Sequence, residues 1–310
     1  MEDAPTEVWH YTSAAGLKGI IENDYLFASP ATQMNDSKEL HEGRETAEKV
    51  LKRLLVDDPA ALKEALSQIG TFDEVFQESE NLFLISASTD GDNLSLWRNY
   101  GSTASYAIRF DTTKVLRPIV NPGSLSNRLL DDEVPGIMLS YPLPHAAASG
   151  SLEWLPVDYN GLRANELAEK IASGIRSVQL REQSAQFIRD YRSRLLARVK
   201  HGSFSAETEV RRIIRVSPSH AFLGFRDSPK GLMRHIRVGY SSTDSPGRLQ
   251  TADGKDLHDC ILKPDKLPIQ EVKLSPVGHL SSAPGSLASF LQLHGYADVK
   301  VSRSASPFIG

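Results

Sequence analysis

Near its start the chain reads Val8-Trp9-His10-Tyr11, and this stretch decides how the fold begins. A run of aromatic and β-branched side chains predicts a short strand. Ser13 follows as the cap of a predicted helix whose apolar positions are Leu17, Ile20 and Ile21. The sequence therefore opens with a strand whose polar exit leads straight into a helix.

Strands and helices of mixed length are predicted along the rest of the chain. Alternation or short apolar runs predict strands at 26–27, 82–85, 106–111, 207–216, 236–240, 271–274 and 298–302. Helical spacing predicts helices after Asp36, at 58–69, at 94–100, over 162–199 and at 285–294. This order is typical of the α+β class. We expect one elaborated domain over 1–310, with a loop-rich insertion at about 120–160.

The composition is that of a globular protein. Of 310 residues 40% are hydrophobic and 24% charged, and 35 basic against 39 acidic residues give a formal charge of −4. This balance gives no whole-molecule field that favours nucleic acid or a membrane. The sequence has one cysteine, Cys260, no signal-like start and no apolar run near the roughly 20 residues of a membrane helix. These features predict a cytoplasmic protein.

Common nucleotide-binding and hydrolase motifs are missing from the sequence. It has no Gly-rich dinucleotide fingerprint, no Walker-type phosphate loop and no G-x-S-x-G nucleophile motif. The nine histidines are dispersed and no Cys-x-x-Cys pair exists, so we expect no metal. If the protein binds a nucleotide, the nucleotide site belongs to a fold without these phosphate-binding motifs.

The sharpest local feature is the segment Glu207-Thr208-Glu209-Val210-Arg211. The segment lies in the predicted strand 207–216, whose periodicity places Glu207, Glu209 and Arg211 on one face. A nearby guanidinium favours the ionised form of a carboxylate, which would suit Glu209 to catalysis. The alternative is a solvated strand face with a modest ion pair that contributes little to stability.

Three further features have both a functional and a structural interpretation. The run His10-Tyr11-Thr12 can face a ligand cleft, or it can hold a satisfied core histidine before the next helix. Trp97 and Tyr100, on the helix that follows Ser86, can contact a ligand or pack in the core. The pair Asn35-Asp36 fits the N-cap of a helix, and a functional role beyond the cap is left open by the sequence.

Taken in order, these segments resemble the bacterial domain-of-unknown-function family 2971. The family pattern is H-Y-T, N-D-x-x-E, a strand ending in Ser, L-x-x-W-x-x-Y-G, a Y-A-I-x-F-D strand, E-x-E-x-R and a terminal V-x-x-S-x-x-P. The matching residues are His10-Tyr11-Thr12, Asn35-Asp36 with Glu39, Ser86, Leu94 with Trp97 and Tyr100-Gly101, Tyr106-Ala107-Ile108 with Phe110-Asp111, Glu207 with Glu209 and Arg211, and Val301 with Ser304 and Pro307. The likeness spans nearly the whole chain, although Val210 stands where family members often have Trp.

A second resemblance supplies an expected activity. The order of His, then Ser with an aromatic helix, then Glu on a late strand looks like ADP-ribosyltransferases of the diphtheria-toxin and poly(ADP-ribose) polymerase type. That likeness implies an NAD cleft in a split antiparallel sheet with flanking helices. It implies that His10 binds the NAD ribose, that Glu209 holds the 2′-hydroxyl of the nicotinamide ribose and that Glu207 acts as general base toward the acceptor. The implied NAD-contacting residues are Tyr11, Thr12, Ser86 and Arg211, together with Trp97, Tyr100 or Tyr106 as the aromatic that stacks on nicotinamide.

The chemistry implied by this second resemblance is consistent with those residue types. Breaking the N-glycosidic bond of NAD generates an oxocarbenium-like carbon, which a carboxylate stabilises as in glycoside hydrolysis. An aromatic face over the cationic nicotinamide ring adds about 0.5–2 kcal/mol of attraction. The expected reaction is transfer of ADP-ribose to an intracellular macromolecule or to water, with NAD as the substrate and no metal.

A local excess of basic residues bears on which acceptor receives ADP-ribose and on whether the protein is an enzyme or a binding module. Between 189 and 215 the sequence has eight basic residues against three acidic ones, an excess of five. This excess suits a nucleic-acid acceptor or the NAD pyrophosphate, or it is a solvated helix face. The alternative to an enzyme is a non-catalytic binding module or sensor for a nucleotide or a nucleic-acid end. A purely structural protein would leave the face of Glu207 and Glu209 open and flat.

Overall fold

The structure is a computed structural model that describes residues 5–33, 38–100, 104–119, 153–176, 192, 194–216, 222–228, 231–242, 260–261 and 263–306. The chain divides into two compact units. The first consists of 1–28, 85–155 and 206–310, and the second of 29–84 and 156–205. None of the described helices has both the length and the apolar character that a membrane crossing requires.

Strands and helices alternate along the described chain, which confirms the α+β class. The strands are β1 (Val8–Ser13), β2 (Tyr25–Pro30), β3 (Leu82–Ser88), β4 (Ser105–Phe110), β5 (Leu116–Pro118), β6 (Leu155–Pro156), β7 (Glu209–Arg215), β8 (Leu223–Ser228), β9 (Gly231–Tyr240), β10 (Ile269–Leu274) and β11 (Lys300–Arg303). The helices are α1 (Ala14–Asn23), α2 (Lys38–Leu54), α3 (Pro59–Ile69), α4 (Phe72–Ser79), α5 (Leu94–Tyr100), α6 (Leu162–Arg176) and α7 (Ala283–Leu293). Short 3-10 helices lie at Ala31–Gln33 and Gly202–Glu207.

The strands of the first unit pair in a mixed, open arrangement. β1 lies between β4 and the end of β3, β4 lies between β1 and β10, and all of these pairs are antiparallel. β11 adds to β10 in parallel. β9 pairs antiparallel with β5, with β8 and with the first four residues of β2. These pairings bring β1, β3 and β4 together, the strands that carry most of the candidate site.

The opening strand and helix form as the sequence predicts. Ser13 Oγ accepts a hydrogen bond of 3.2 Å from the backbone N–H of Gly16 and so caps α1. The three predicted apolar positions, Leu17, Ile20 and Ile21, are all buried. Cap chemistry and apolar spacing agree in this segment, so the sequence alone predicts it correctly.

Alternate side chains of β1 point to opposite faces of its sheet. His10 and Thr12 share one face, where the register pairs Thr12 with Tyr106 of β4. Trp9 and Tyr11 share the other face. We refer to these as the His10 face and the Trp9 face.

Helices α2, α3, α4 and α6 build most of the second unit, and α6 packs against α2 and α3. The sequence predicts α2, α3 and α6 but misses α4. A capping box begins α4, because Thr71 Oγ1 accepts from the N–H of Glu74 at 3.3 Å and Glu74 Oε2 accepts from the N–H of Thr71 at 2.7 Å. Of the predicted helical span 162–199, residues 177–191 lie outside the described residues, as do 120–152 of the predicted insertion.

The predicted strand 207–216 is wrong at its start. Glu207 ends the 3-10 helix Gly202–Glu207, and Thr208 follows with a positive φ of 45°, which extended strands do not use. The strand begins only at Glu209. Glu209 and Arg211 therefore share a strand face as predicted, but Glu207 is held by a separate turn.

His235 on β9 gives the fold a pH dependence. Its side chain is 6% exposed, and burial, followed by the charges of Arg226 and Arg237, lowers its pKa to about 4. Because the unfolded chain takes up this proton near pH 6.5 and the folded chain does not, stability falls as the pH drops from 6.5 toward 4. We expect His235 to account for up to about 3 kcal/mol of that loss.

Urea unfolding of the wild type and of His235→Gln at pH 7 and pH 4.5 checks this. The variant should lose less stability on acidification, and an equal loss in both proteins would contradict the prediction.

Candidate functional site

His10 is a neutral histidine with a fixed ring orientation. Its Nδ1 lies 2.9 Å from the carbonyl oxygen of Ser86. A carbonyl only accepts hydrogen bonds, so Nδ1 carries the proton and Nε2 of the neutral ring carries the lone pair. Burial lowers the pKa of His10 below 6.5, although the bond to Ser86 opposes this. At neutral pH the ring can therefore accept a hydrogen bond through Nε2 from a hydroxyl group.

Tyr106 lies on the same face of the sheet as His10. Its cross-strand partner is Thr12, while His10 pairs with Ile108, so His10 and Tyr106 are diagonal neighbours. Burial raises the pKa of Tyr106, which keeps its hydroxyl protonated. The structure thus brings together three of the predicted site residues, His10, Thr12 and Tyr106, on one face.

A cavity of about 450 Å³ adjoins Tyr106, between α1 and α7. Its walls include Leu17 of α1, Leu287 and Phe290 of α7, and His279. The ring of His279 meets the ring of Tyr106 edge-on, with centroids 4.9 Å apart. This volume is in the range of small-molecule sites. His279 lies in a turn before α7, where no spacing pattern marks it, and sequence analysis missed it.

The Trp9 face is filled by core packing. Trp97 of α5 is 1% exposed and meets the ring of Tyr11 edge-on at 4.7 Å. The hydroxyl of Tyr11 donates to the carbonyl of Asp90 and accepts from the N–H of Asn93, both at 2.8 Å. Packing and hydrogen bonds thus engage both aromatic side chains, and they fix α5 against β1.

Glu209 and Arg211 form a buried ion pair on β7. Arg211 Nε donates to Glu209 Oε1 at 2.8 Å, and a second guanidinium nitrogen donates to Oε2 at 3.0 Å. Glu209 is 7% exposed and Arg211 1% exposed. The interpretation as a solvated strand face is therefore wrong. A two-point pair of this kind holds the carboxylate ionised and fixes its orientation.

Glu207 is also buried, at 9% exposure, which excludes the open and flat face that a purely structural role predicts. Its Oε1 accepts a hydrogen bond of 3.3 Å from the side-chain amide of Asn99. Its backbone carbonyl accepts from Ser88 Oγ at 2.8 Å, and the same Oγ lies 2.8 Å from the hydroxyl of Thr208. Ser88 therefore ties the segment before β7 to the end of β3.

The end of β3 lies between the segments that carry His10 and Glu209. Ser88 pairs with Trp9 of β1 on one side and bonds to Glu207 and Thr208 on the other. Adjacent strands lie about 4.8 Å apart, so two strands that flank a third are about 10 Å apart. Ser86, two residues earlier on β3, contacts His10 through its carbonyl, and its own hydroxyl oxygen is buried with no hydrogen-bond partner.

Several predicted residues lie where the structure describes no side chain. These are Glu39 and Tyr100, and Asn35, Asp36, Gly101 and Pro307 lie outside the described residues altogether. Among the described residues no group of three or more His, Cys, Asp or Glu side chains is suited to hold a metal ion.

The basic stretch 189–215 is not an open cationic surface over its described part. Arg192 and Arg198 are 5% and 7% exposed, and Arg211 and Arg212 are more deeply buried. Arg192 donates to both carboxylate oxygens of Glu78, at 2.8 and 2.6 Å. Half of the eight predicted basic residues thus serve buried contacts, and the interpretation as a solvated helix face is wrong for them.

Comparison of the chain with protein-family models, with curated proteins and with solved structures gave no match.

Proposed function

We propose that this chain is an ADP-ribosyltransferase-like enzyme that cleaves NAD at its N-glycosidic bond and transfers ADP-ribose to an intracellular macromolecule or to water. The observation that supports it best is the placement of a neutral imidazole, His10, and an ion-paired carboxylate, Glu209, on either side of the end of β3. Both groups are hydrogen-bond acceptors, which suits them to binding ribose hydroxyl groups.

In this proposal His10 binds NAD and Glu209 acts on the reacting ribose. The Nε2 lone pair of His10 accepts a hydrogen bond from a ribose hydroxyl, an interaction that a protonated ring could not make. Each carboxylate oxygen accepts more than one hydrogen bond, so Glu209 can hold both Arg211 and the 2′-hydroxyl. Its negative charge then stabilises the oxocarbenium-like carbon as nicotinamide leaves.

Tyr106 is the aromatic that we favour for stacking on nicotinamide. It borders a cavity on the His10 face, whereas Trp97 is 1% exposed in the core of the Trp9 face. Tyr11 and Trp97 then support the site by fixing β1 and α5. Thr12 is the cross-strand partner of Tyr106, which lines the cavity, and Arg211 acts by holding Glu209.

Glu207 is the proposed base toward the acceptor. It lies two residues before Glu209, and a turn rather than the strand presents it, so the two carboxylates need not point the same way. A carboxylate within reach of the acceptor hydroxyl or water takes up its proton as the new bond to the ribose carbon forms. The acceptor is water if the enzyme is a glycohydrolase and a group on a macromolecule if it is a transferase.

Nicotinamide release from NAD by the purified chain tests the proposal. We expect release that rises on addition of cell lysate if a macromolecule is the acceptor, and release that is independent of lysate if the acceptor is water. If NAD raises the Tm of the chain without any release, the alternative of a nucleotide-binding module is correct. If NAD neither reacts nor raises the Tm, both ideas fail.

A further inference from the structure

Arg212 is a buried cation for which the described chain offers no carboxylate. It lies on β7 and is 2% exposed. One terminal nitrogen donates to the carbonyl of Leu116 at 2.5 Å, and Nε is buried with no hydrogen-bond partner. Burial, and then the charge of Arg117, lower the pKa of Arg212 to about 10, so it keeps its charge at neutral pH. Most buried charges are paired, but Arg212 has no oppositely charged partner among the residues that the structure describes.

A second guanidinium adds to this charge instead of neutralising it. Arg117 on β5 is half-buried, and its Nε is likewise buried with no partner. The ring of Trp154 lies 6.0 Å from the Arg212 guanidinium carbon. Within the described residues neither arginine contacts an Asp or Glu side chain. Arg212 therefore has an unused N–H donor beside an aromatic ring, and it bonds to the carbonyl of Leu116, the residue next to Arg117, whose Nε is also unused.

An anion would remove the energetic cost of this arrangement. Burying an unpaired charge is unfavourable, and it becomes acceptable when an opposite charge supplies both attraction and hydrogen bonds. A guanidinium presents a planar fork of donors that matches the oxygens of a phosphate group. A phosphate dianion also matches the total charge of the two arginines.

We propose that Arg212 and Arg117 form a binding site for a phosphate group. Successive strand residues point to opposite faces, so Arg212 points away from the face of Glu209 and Arg211. The phosphate site is therefore separate from the candidate NAD cleft, and it does not rest on NAD cleavage. Arg117, which keeps part of its exposure, forms the side open to solvent.

Thermal unfolding of the full chain tests this site with inorganic phosphate, with ADP-ribose and with sodium chloride at matched ionic strength. We expect phosphate to raise the Tm of the wild type by on the order of 5 °C at a hundredfold excess over its Kd, and chloride to have no such effect. Arg212→Met should abolish this rise. If only ADP-ribose raises the Tm, and does so through Arg212, the bound phosphate is that of a nucleotide.

Two variants keep the test decisive. Arg117→Met removes the half-exposed partner and tests the site even if Arg212→Met does not fold. Arg192→Met is the matched control, because Arg192 is a buried arginine that is already paired with Glu78. It should lower the Tm yet keep the full response to phosphate. The proposal is overturned if neither phosphate nor ADP-ribose stabilises the wild type, or if both variants at the site respond as the wild type does.

Discussion

Glu209→Gln is expected to slow nicotinamide release from NAD by on the order of 10²–10³-fold, because the amide cannot neutralise an oxocarbenium-like carbon. Gln keeps the size of the side chain and one accepting oxygen, so NAD should still raise the Tm of the variant. Nicotinamide release under saturating NAD measures the reaction rate, and the NAD-dependent shift in Tm measures binding. The rate should fall while binding persists.

The stability of this variant needs its own control. Arg211 is 1% exposed and donates two hydrogen bonds to Glu209, so Glu209→Gln removes a negative charge that this buried guanidinium contacts. Glu209→Asp keeps the negative charge but shortens the side chain by one methylene group. It should stay folded and still release nicotinamide slowly. Wild-type rates in both variants would show that Glu209 has no part in the reaction.

Trp97→Ala is expected to cost about 3–5 kcal/mol of the free energy of unfolding, the range for loss of a buried Trp. Trp97 packs against Tyr11, and its Nε1 donates to Asp92 Oδ1 at 2.8 Å, so the variant leaves a cavity and removes one of the hydrogen bonds that Asp92 Oδ1 accepts. Urea unfolding measures the loss.

Leu293→Ala is the matched control for this truncation, because Leu293 is 80% exposed on α7. Its change in unfolding free energy should stay within about 0.5 kcal/mol. A cost below about 1 kcal/mol for Trp97→Ala would mean that Trp97 is not a core residue. Its role as a stacking aromatic in the NAD cleft would then have to be reconsidered.

The elements with strong local signals could be predicted from the sequence. The aromatic strand around His10 and the helix after Ser13 have propensity, cap and apolar spacing in agreement, and both form. The ion pair of Glu209 and Arg211 follows from strand alternation and also forms. Its burial could not be predicted, because it depends on which elements cover the strand.

Other features of the site depend on contacts between segments that are distant in sequence. Glu207 leaves the strand because Ser88, more than a hundred residues earlier, bonds to its carbonyl and to Thr208. His279 meets Tyr106 only because the turn before α7 packs beside β4. In the sequence Arg212 is one of eight basic residues between 189 and 215, and only the fold shows that it is buried. Periodicity in the sequence indicates on which face of a helix or strand a residue lies, but not which other elements pack against that face.

In the proposed function His10 and Glu209 act on the same bound NAD, which can be tested by nicotinamide release from wild type, His10→Gln, Glu209→Gln and the double variant. Groups that serve one reaction centre have non-additive effects. We expect His10→Gln to slow release by at least about tenfold, and the double variant to be only slightly slower than Glu209→Gln alone. Release by His10→Gln at the wild-type rate, or no release by the wild type, would contradict the account.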